Sequence, residues 1–390
     1  MKKVLIIVGM ALVLVTSVVF AEGSKESSMT VEQWEEWAQL GSFTPDEEDW
    51  DAIIEAAKEE GEVTIYANTS RVFDFARTFY NKYDIKVIAN DMSQGSLFEK
   101  LSREIDAGIT NCDVVLVSDT PTHYHDFLEV GKVYRYVPAE ILPLLNDYAR
   151  DEPLGIQRFG GKAIAYNTQT YPDGPPVDTW WDLTRPEWNG KIITKDPMLG
   201  GSEINFFASF IKYADVMESL YEEEFGEPIV LNGTENAGYE FLKRLMDNGL
   251  ILMSSGTPVT MAVGAPNQDN PPLGIIGPSK LRLREDSELY VDILWDVQPV
   301  ASYLSKQAVS IPVYSEHPNA AKLLIRWLYG DSDGGLGYKP FFDLGTWSPR
   351  SDVPQPFDQK ELDEINFWVE DSDWLYTNVV RFRDFWIQNM

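Results

Sequence analysis

A single cysteine, Cys112, is present in 390 residues, so no intramolecular disulfide is available and the fold rests on its apolar cores. Within Asn111-Cys112-Asp113-Val114-Val115-Leu116-Val117 it precedes a β-rich run and reads as a small buried apolar residue. Basic residues are scarce: 32 Lys and Arg face 62 Asp and Glu, a formal net charge of −30. That balance argues against broad binding to nucleic acid or anionic membranes, which need clustered cations. Hydrolase signatures are missing too. There is no Gly-x-Ser-x-Gly elbow, no His-Glu-x-x-His helix, no Cys-His signature and no P-loop lysine, so a secreted hydrolase or a nucleotide hydrolase is disfavoured and no catalytic residue is assigned.

What is present is a 44% hydrophobic, 13% aromatic chain, long enough for two or three domains and rich enough for two cores. Lys2 and Lys3, an apolar run over residues 4–18 and Val19-Phe20-Ala21 form the pattern of a cleavable secretory leader over 1–21. The apolar run is short for a spanning helix, and no cysteine stands at the expected cut for a lipid anchor. A periplasmic protein with no membrane span after cleavage is expected.

Residues 22–60 read as an acidic, helical extension. Thr30 and Gln33 have capping-box spacing, Trp34 and Trp37 lie three apart on a helix, Thr44-Pro45 reads as a second helix start and Gly61 as its end. From residue 62 onward short β runs at 63–67, 85–88 and 113–117 alternate with helices, the pattern of a parallel sheet with covering helices. Ligands of such sheets sit beyond the carboxyl ends of the strands, at helix N-termini. This selects Thr69 and Ser70 after the first run, Gly95 and Ser96 after the second, and Ser118, Asp119 and Thr120 after the third; Asn68 and the cation Arg71, in the same polar loop as Thr69 and Ser70, are further candidates. Ser96 to Glu99 and Thr120-Pro121 also read as helix caps.

Gly160 to Asn167 then reads as a strand that leaves one lobe and crosses a cleft, with Asn167 at its end. A tryptophan-rich packing unit containing Trp180 and Trp181 follows, then the glycine loop Gly200, Gly201 and Ser202 before an apolar helix over 204–214. Gly256 and Thr257 follow a strand at 250–253, and 264–280 reads as an exposed connection. His123 and His125 are a weak metal pair, with surface or capping roles favoured.

Several motifs resemble the extracellular solute-binding proteins of ABC importers, in the iron(III), thiamine and polyamine branch. They are Ala56-Ala57-Lys58-Glu59-Glu60-Gly61, Asp113-Val114-Val115, Ala165-Tyr166-Asn167-Thr168, Trp181-Asp182-Leu183 with Trp188-Asn189-Gly190-Lys191-Ile192, and Ala308-Val309-Ser310-Ile311-Pro312 running into His317-Pro318-Asn319. The resemblance covers roughly residues 50–350. It implies an α/β, two-lobed periplasmic-binding-protein fold of type II, each lobe a mostly parallel sheet flanked by helices, with ligand in the interlobe cleft. The expected division is 61–162 with 308–345, and 163–307 with 346–390.

It further implies a monomeric, non-enzymatic receptor without cofactor that hands a small-molecule solute to an inner-membrane permease. Iron-binding members usually present adjacent tyrosines, and no Tyr-Tyr pair occurs here. A cationic ligand such as a polyamine or thiamine would draw on Asp119, Asp296 and an aromatic wall from Trp295 or Trp347. Ser70, Arg71, Ser96, Gly201 and Ser202 instead favour an anionic or phosphorylated solute. An envelope interaction protein using the aromatic N-terminal helix is the remaining alternative.

Overall fold

A computed structural model describes residues 29–330, 335–356 and 359–390, apart from the side chains of 285 and 286. The leader expected over 1–21 and the start of the extension, 22–28, lie outside the described residues. Eleven strands are found among them: β1 Glu62–Ala67, β2 Lys86–Asp91, β3 Val114–Val117, β4 Val133–Tyr134, β5 Gly155–Asn167, β6 Ile192–Lys195, β7 Ile251–Met253, β8 Leu273–Ile276, β9 Val291–Ile293, β10 Ser302–Pro312 and β11 Phe367–Val369.

The main path of the sheet runs β2-β1-β3-β10-β5-β8-β6-β7. β1, β2 and β3 are mutually parallel at one end, and β6, β7 and β8 at the other. Between them lie the two long strands β5 and β10, antiparallel to each other, with β10 antiparallel to β3 and β5 antiparallel to β8. Two parallel α/β lobes are thus joined by a pair of crossing strands. Gly161 is needed at the crossing, since a Cβ there would collide with the Ser302 hydroxyl and lie 3.1 Å from the Tyr303 carbonyl.

Each lobe has its own core. The first gathers Ile65 and Leu116 from the sheet, Phe75 and Phe79 from helix Val72–Tyr83, and Leu324 and Leu328 from helix Pro318–Tyr329. The second is aromatic, with Trp180 against Phe206, Trp181 against Phe241, Phe241 against Phe210 and Trp386 against Phe207. Trp180 and Trp181 are fully buried, and their indole N–H groups donate to the carbonyls of Val300 (2.8 Å) and Met217 (2.9 Å). Truncating either to Ala is expected to cost about 3–5 kcal/mol. In the C-terminal region, Trp347, Val353, Leu362 and Ile365 join the first core, whereas Trp368, Leu375, Phe382 and Trp386 join the second.

The N-terminal extension packs on the first lobe. The capping box of Thr30 and Gln33 forms. Trp34 is buried and donates its indole N–H to the Ser315 carbonyl at 3.1 Å, whereas Trp37 is 51% exposed, so the two do not share a buried face.

Three helix starts differ from the expected ones, and for one reason: an Asp or Ser nearby takes the capping position. Asp49 rather than Thr44 caps Trp50–Glu60, Ser93 rather than Ser96 caps Gln94–Asp106, and Asp119 rather than Thr120 caps the turn after β3. The region 264–280 is not an exposed connection throughout. It contains β8, whose four residues are all buried between β5 and β6.

Candidate functional site

The cleft floor is built from the crossing strands. Alternation along β5 sends Arg158, Gly160 and Lys162 to one face, and all three keep some accessible surface while Phe159 and Gly161 are buried. Gly160, with no side chain, leaves a gap between the two cations. Across it on β10, Ser305 pairs with Gly160 and Gln307 with Arg158.

From this floor a chain of hydrogen bonds, begun by the Arg158 cation and continued by neutral side chains, crosses the first lobe to the lip of the second. Arg158 Nε donates to Gln307 Oε1. Gln307 Nε2 donates to Asn68 Oδ1 (3.3 Å), and Asn68 Nδ2 donates to Ser118 Oγ (2.9 Å). Gln94 Nε2 donates to the same hydroxyl (3.5 Å), while Gln94 Oε1 accepts from the Gly201 backbone N–H of the facing lobe (2.7 Å). The lips therefore meet directly. A Cβ on Gly201 would lie 3.1 Å from Cβ and Cγ of Asp119 and from Gln94 Oε1.

The walls are cationic. Arg71 and Arg158 rest on the ring of the buried Phe341, with their guanidinium carbons 5.5 and 5.4 Å from its centroid. Arg71 Nη2 pairs with Asp343 at 2.6 Å, but its buried Nη1 has no hydrogen-bond partner among the described residues. Burial, then the like charge of Arg71, pushes Arg158 down to about 9. Lys280 donates to Thr257 Oγ1 (3.0 Å) and is pushed down to about 8 by burial and by Arg282, Lys162, Arg71 and Lys195. Arg282 is exposed at the rim and donates to the Ser279 carbonyl. Lys162 and Lys195 share Glu203, which burial alone would raise but which the two lysines hold at about 2.

Six cations thus converge on two carboxylates, Asp343 and Glu203. Among the described residues Arg158, Lys280 and Arg282 have no carboxylate partner. In a chain of charge −30 this is a local inversion of sign. Uncompensated cations in a partly desolvated cleft are arranged to receive an anion.

The residues selected from the sequence fall into three groups. Arg71, Asn68, Ser118, Gly201, Gly256 and Thr257 stand in or directly support this cleft, and a Cβ on Gly256 would lie 3.2 Å from Cε of Lys280. Thr69, Ser202 and Gly200 are second neighbours. Thr69 Oγ1 accepts from the Arg71 backbone at 3.4 Å, Ser202 donates to Glu203 at 3.3 Å, and Gly200 leaves room for the Lys195–Glu203 pair.

The rest are occupied elsewhere. Ser70, Gly95 and Ser96 are exposed, and the Ser96 N–H is spent on its Ser93 cap. Thr120 is buried against Glu370. Asp119 caps Thr122, and burial raises its carboxyl. Asn167 is fully buried and saturated: its amide donates to the carbonyls of Val263 and Ala265 (both 2.9 Å) and accepts from the N–H of Gln169 and Thr170. It has nothing left for a ligand.

Trp295 stacks edge-on to the buried Trp347 at 6.2 Å, while Asp296 points to solvent with a 94% exposed side chain, so no aromatic-acidic cage assembles around Asp119. His123 is buried against Ser310 at 2.7 Å and pushed down to about 3, and His125 is half-buried between Glu129 and Asp373. Among the described residues no group of three or more His, Cys, Asp or Glu is placed to hold a metal. Missed from the sequence were Arg158, Lys162, Lys195, Glu203, Lys280 and Arg282. The one available signal was the i, i+4 spacing of Arg158 and Lys162 on a strand, which puts both on one face.

The family model for bacterial extracellular solute-binding proteins matches residues 44–334. The chain belongs to that family. Its members bind solutes and are not enzymes, and this solute-binding protein is the extracytoplasmic binding component of an ABC importer. No curated protein sequence matches it. Iron-bound HitA from Pseudomonas aeruginosa is similar in structure, with 17% identity, 83% of this chain and 99% of that one covered, and a TM-score of 0.66. AfuA from Actinobacillus pleuropneumoniae, bound to fructose-6-phosphate, shows 19% identity, 84% and 98% coverage and a TM-score of 0.63. The ferric binding protein from Campylobacter jejuni shows 14%, 84%, 99% and 0.63. Likeness at these identities shows the fold alone: the two-lobed, type II architecture. No helix among the described residues is long and apolar enough to cross a membrane.

Proposed function

We propose that this solute-binding protein captures a small anionic solute, phosphorylated or carboxylate-bearing, above Gly160. The observation that carries the reading is the gathering of Arg71, Arg158, Lys162, Lys195, Lys280 and Arg282 around two carboxylates among the described residues. The cations come from the first lobe, the crossing strands and the second lobe, so an anion that engages all three favours the closed arrangement in which Gly201 reaches Gln94. A ferric ion needs oxyanionic ligands, and a polyamine needs carboxylates, where this cleft offers guanidinium and ammonium groups. AfuA, with its fructose-6-phosphate, is a precedent for such a ligand on this fold.

In this reading the leader is removed after Ala21, the protein works as a free periplasmic monomer, and lobes dividing near 162/163 and 307/308 close by a hinge before docking on the permease. Native mass spectrometry of protein purified from its own host tests the ligand class. A co-purifying acidic species of a few hundred daltons is expected. A co-purifying metal ion or polyamine contradicts the proposal.

A further inference from the structure

Glu203 sits in the first turn of helix Gly201–Lys212, where the free N–H groups would otherwise attract a ligand's anion. That helix end is already occupied. The Gly201 N–H is given to Gln94, and the Glu203 carboxylate, only 6% exposed, lies on Lys162 and on Lys195 (2.9 Å) and accepts from Ser202 (3.3 Å). Its two lysines come from different elements, β5 and the end of β6. No other carboxylate pairs with either of them among the described residues.

The cleft therefore has two unequal ends. Around Arg158, with Arg71 and Arg282 beside it and Asp343 as the one carboxylate paired there among the described residues, positive charge is left over, and Lys280 feels the cations of both ends. Around Lys162, roughly 13 Å along β5 from Arg158 at four residues' rise, and its neighbour Lys195, one of the two positive charges is offset by a fixed acid. We propose that Glu203 is a specificity-determining residue: a built-in anion that limits the negative charge of the ligand the cleft accepts.

This rests on the anion-receptor reading and goes beyond it. A ligand with one anionic group at the Arg158 end leaves the Glu203 pair undisturbed. A more highly charged ligand must bring negative charge toward a buried carboxylate that its lysines keep ionised, and is rejected by repulsion rather than by lack of contacts.

The test compares inorganic phosphate with pyrophosphate on the mature full-length protein, read as apparent Kd values from anion-dependent melting shifts. Glu203→Gln is expected to move the phosphate-to-pyrophosphate preference toward pyrophosphate by about tenfold or more relative to the wild type. Lys195→Gln, which leaves the acid with one lysine instead of two, is expected to move it the opposite way by about threefold. The second variant keeps the test decisive if the first does not fold. An unchanged preference in both variants overturns the role of Glu203, whatever the wild-type affinity. Absence of any anion response in wild type and variants overturns the receptor reading as well, so the two failures are distinguishable.

Discussion

Around Arg158 the protein gathers six cations against two carboxylates, whereas around Glu370 a buried carboxylate meets mostly neutral donors. Glu370 accepts from Tyr303 OH (2.8 Å), from Asn205 Nδ2 (3.3 Å) and from the Thr120 hydroxyl, tying the first lobe, a crossing strand and the second lobe together. Burial raises its carboxyl to about 7, with Asp119 adding to the shift and Lys306, Tyr303 and Asn205 opposing it. Both clusters bridge the same three parts of the molecule. The Glu370 cluster is closed by hydrogen bonds from the protein itself. The Arg158 cluster is left open: among the described residues Arg71 Nη1 is buried without a hydrogen-bond partner, and Arg158, Lys280 and Arg282 have no carboxylate. The contrast separates a structural knot from a binding site: a polar cluster that the protein does not complete is one that a ligand completes.

The sharpest way to break that comparison is Arg158→Met. Loss of a desolvated cation facing an anion is expected to weaken binding by about 100-fold or more, measured by calorimetry. The ligand-free variant is expected to melt no lower than the wild type, because an uncompensated charge has been replaced by an apolar chain of similar length. A large loss of ligand-free stability would place Arg158 in the structural class instead.

Glu370 should behave in the opposite manner. Its folded value, about 7, lies above the ordinary 4.5, so the protonated form stabilises the fold. That contribution is full below about pH 4.5 and is lost as pH rises through about 7. The shift corresponds to about 3 kcal/mol at most. Urea melts at pH 5 and pH 8 are expected to show this decline in the wild type and a smaller one in Glu370→Gln.

Gly201→Val tests the lips of the cleft. The added side chain meets Asp119 and Gln94 only when the lobes close, so affinity is expected to fall about tenfold while the ligand-free melting temperature moves little. The smallest effect is expected at Ser96→Ala. That exposed hydroxyl contacts only Ser93, and both affinity by titration and stability by denaturant are expected within about 0.5 kcal/mol of wild type.

Local features were the legible part of the sequence. The alternation of short β runs and helices, the Gly61 helix end and the Gly160 to Asn167 crossing strand follow from patterns a few residues long. β8 was hidden because it is a four-residue apolar run, Leu273–Ile276, between Pro and Gly residues that read as a loop. Helix starts shifted by a few residues wherever an Asp or Ser stood close to the expected cap. Ser118 was found by the rule that ligands sit beyond strand ends, and Arg71 and Asn68 as members of the polar loop after the first run. Arg158 and Lys162 were not, because that rule looks past the sheet whereas these side chains stand on its crossing strand. Lys280 was hidden within the misread connection. The charge inversion joins residues up to some two hundred positions apart, and only the tertiary fold brings them together.

The central claim is that the incomplete cationic cluster is the ligand site. It is tested most directly by calorimetric titration of fructose-6-phosphate, fructose and ferric citrate into the wild type and Arg158→Met. The account predicts that the phosphorylated sugar binds the wild type, that fructose binds at least about 100-fold more weakly, and that Arg158→Met removes the difference. Equal affinity for fructose and its phosphate, or uptake of iron that survives Arg158→Met, would contradict it.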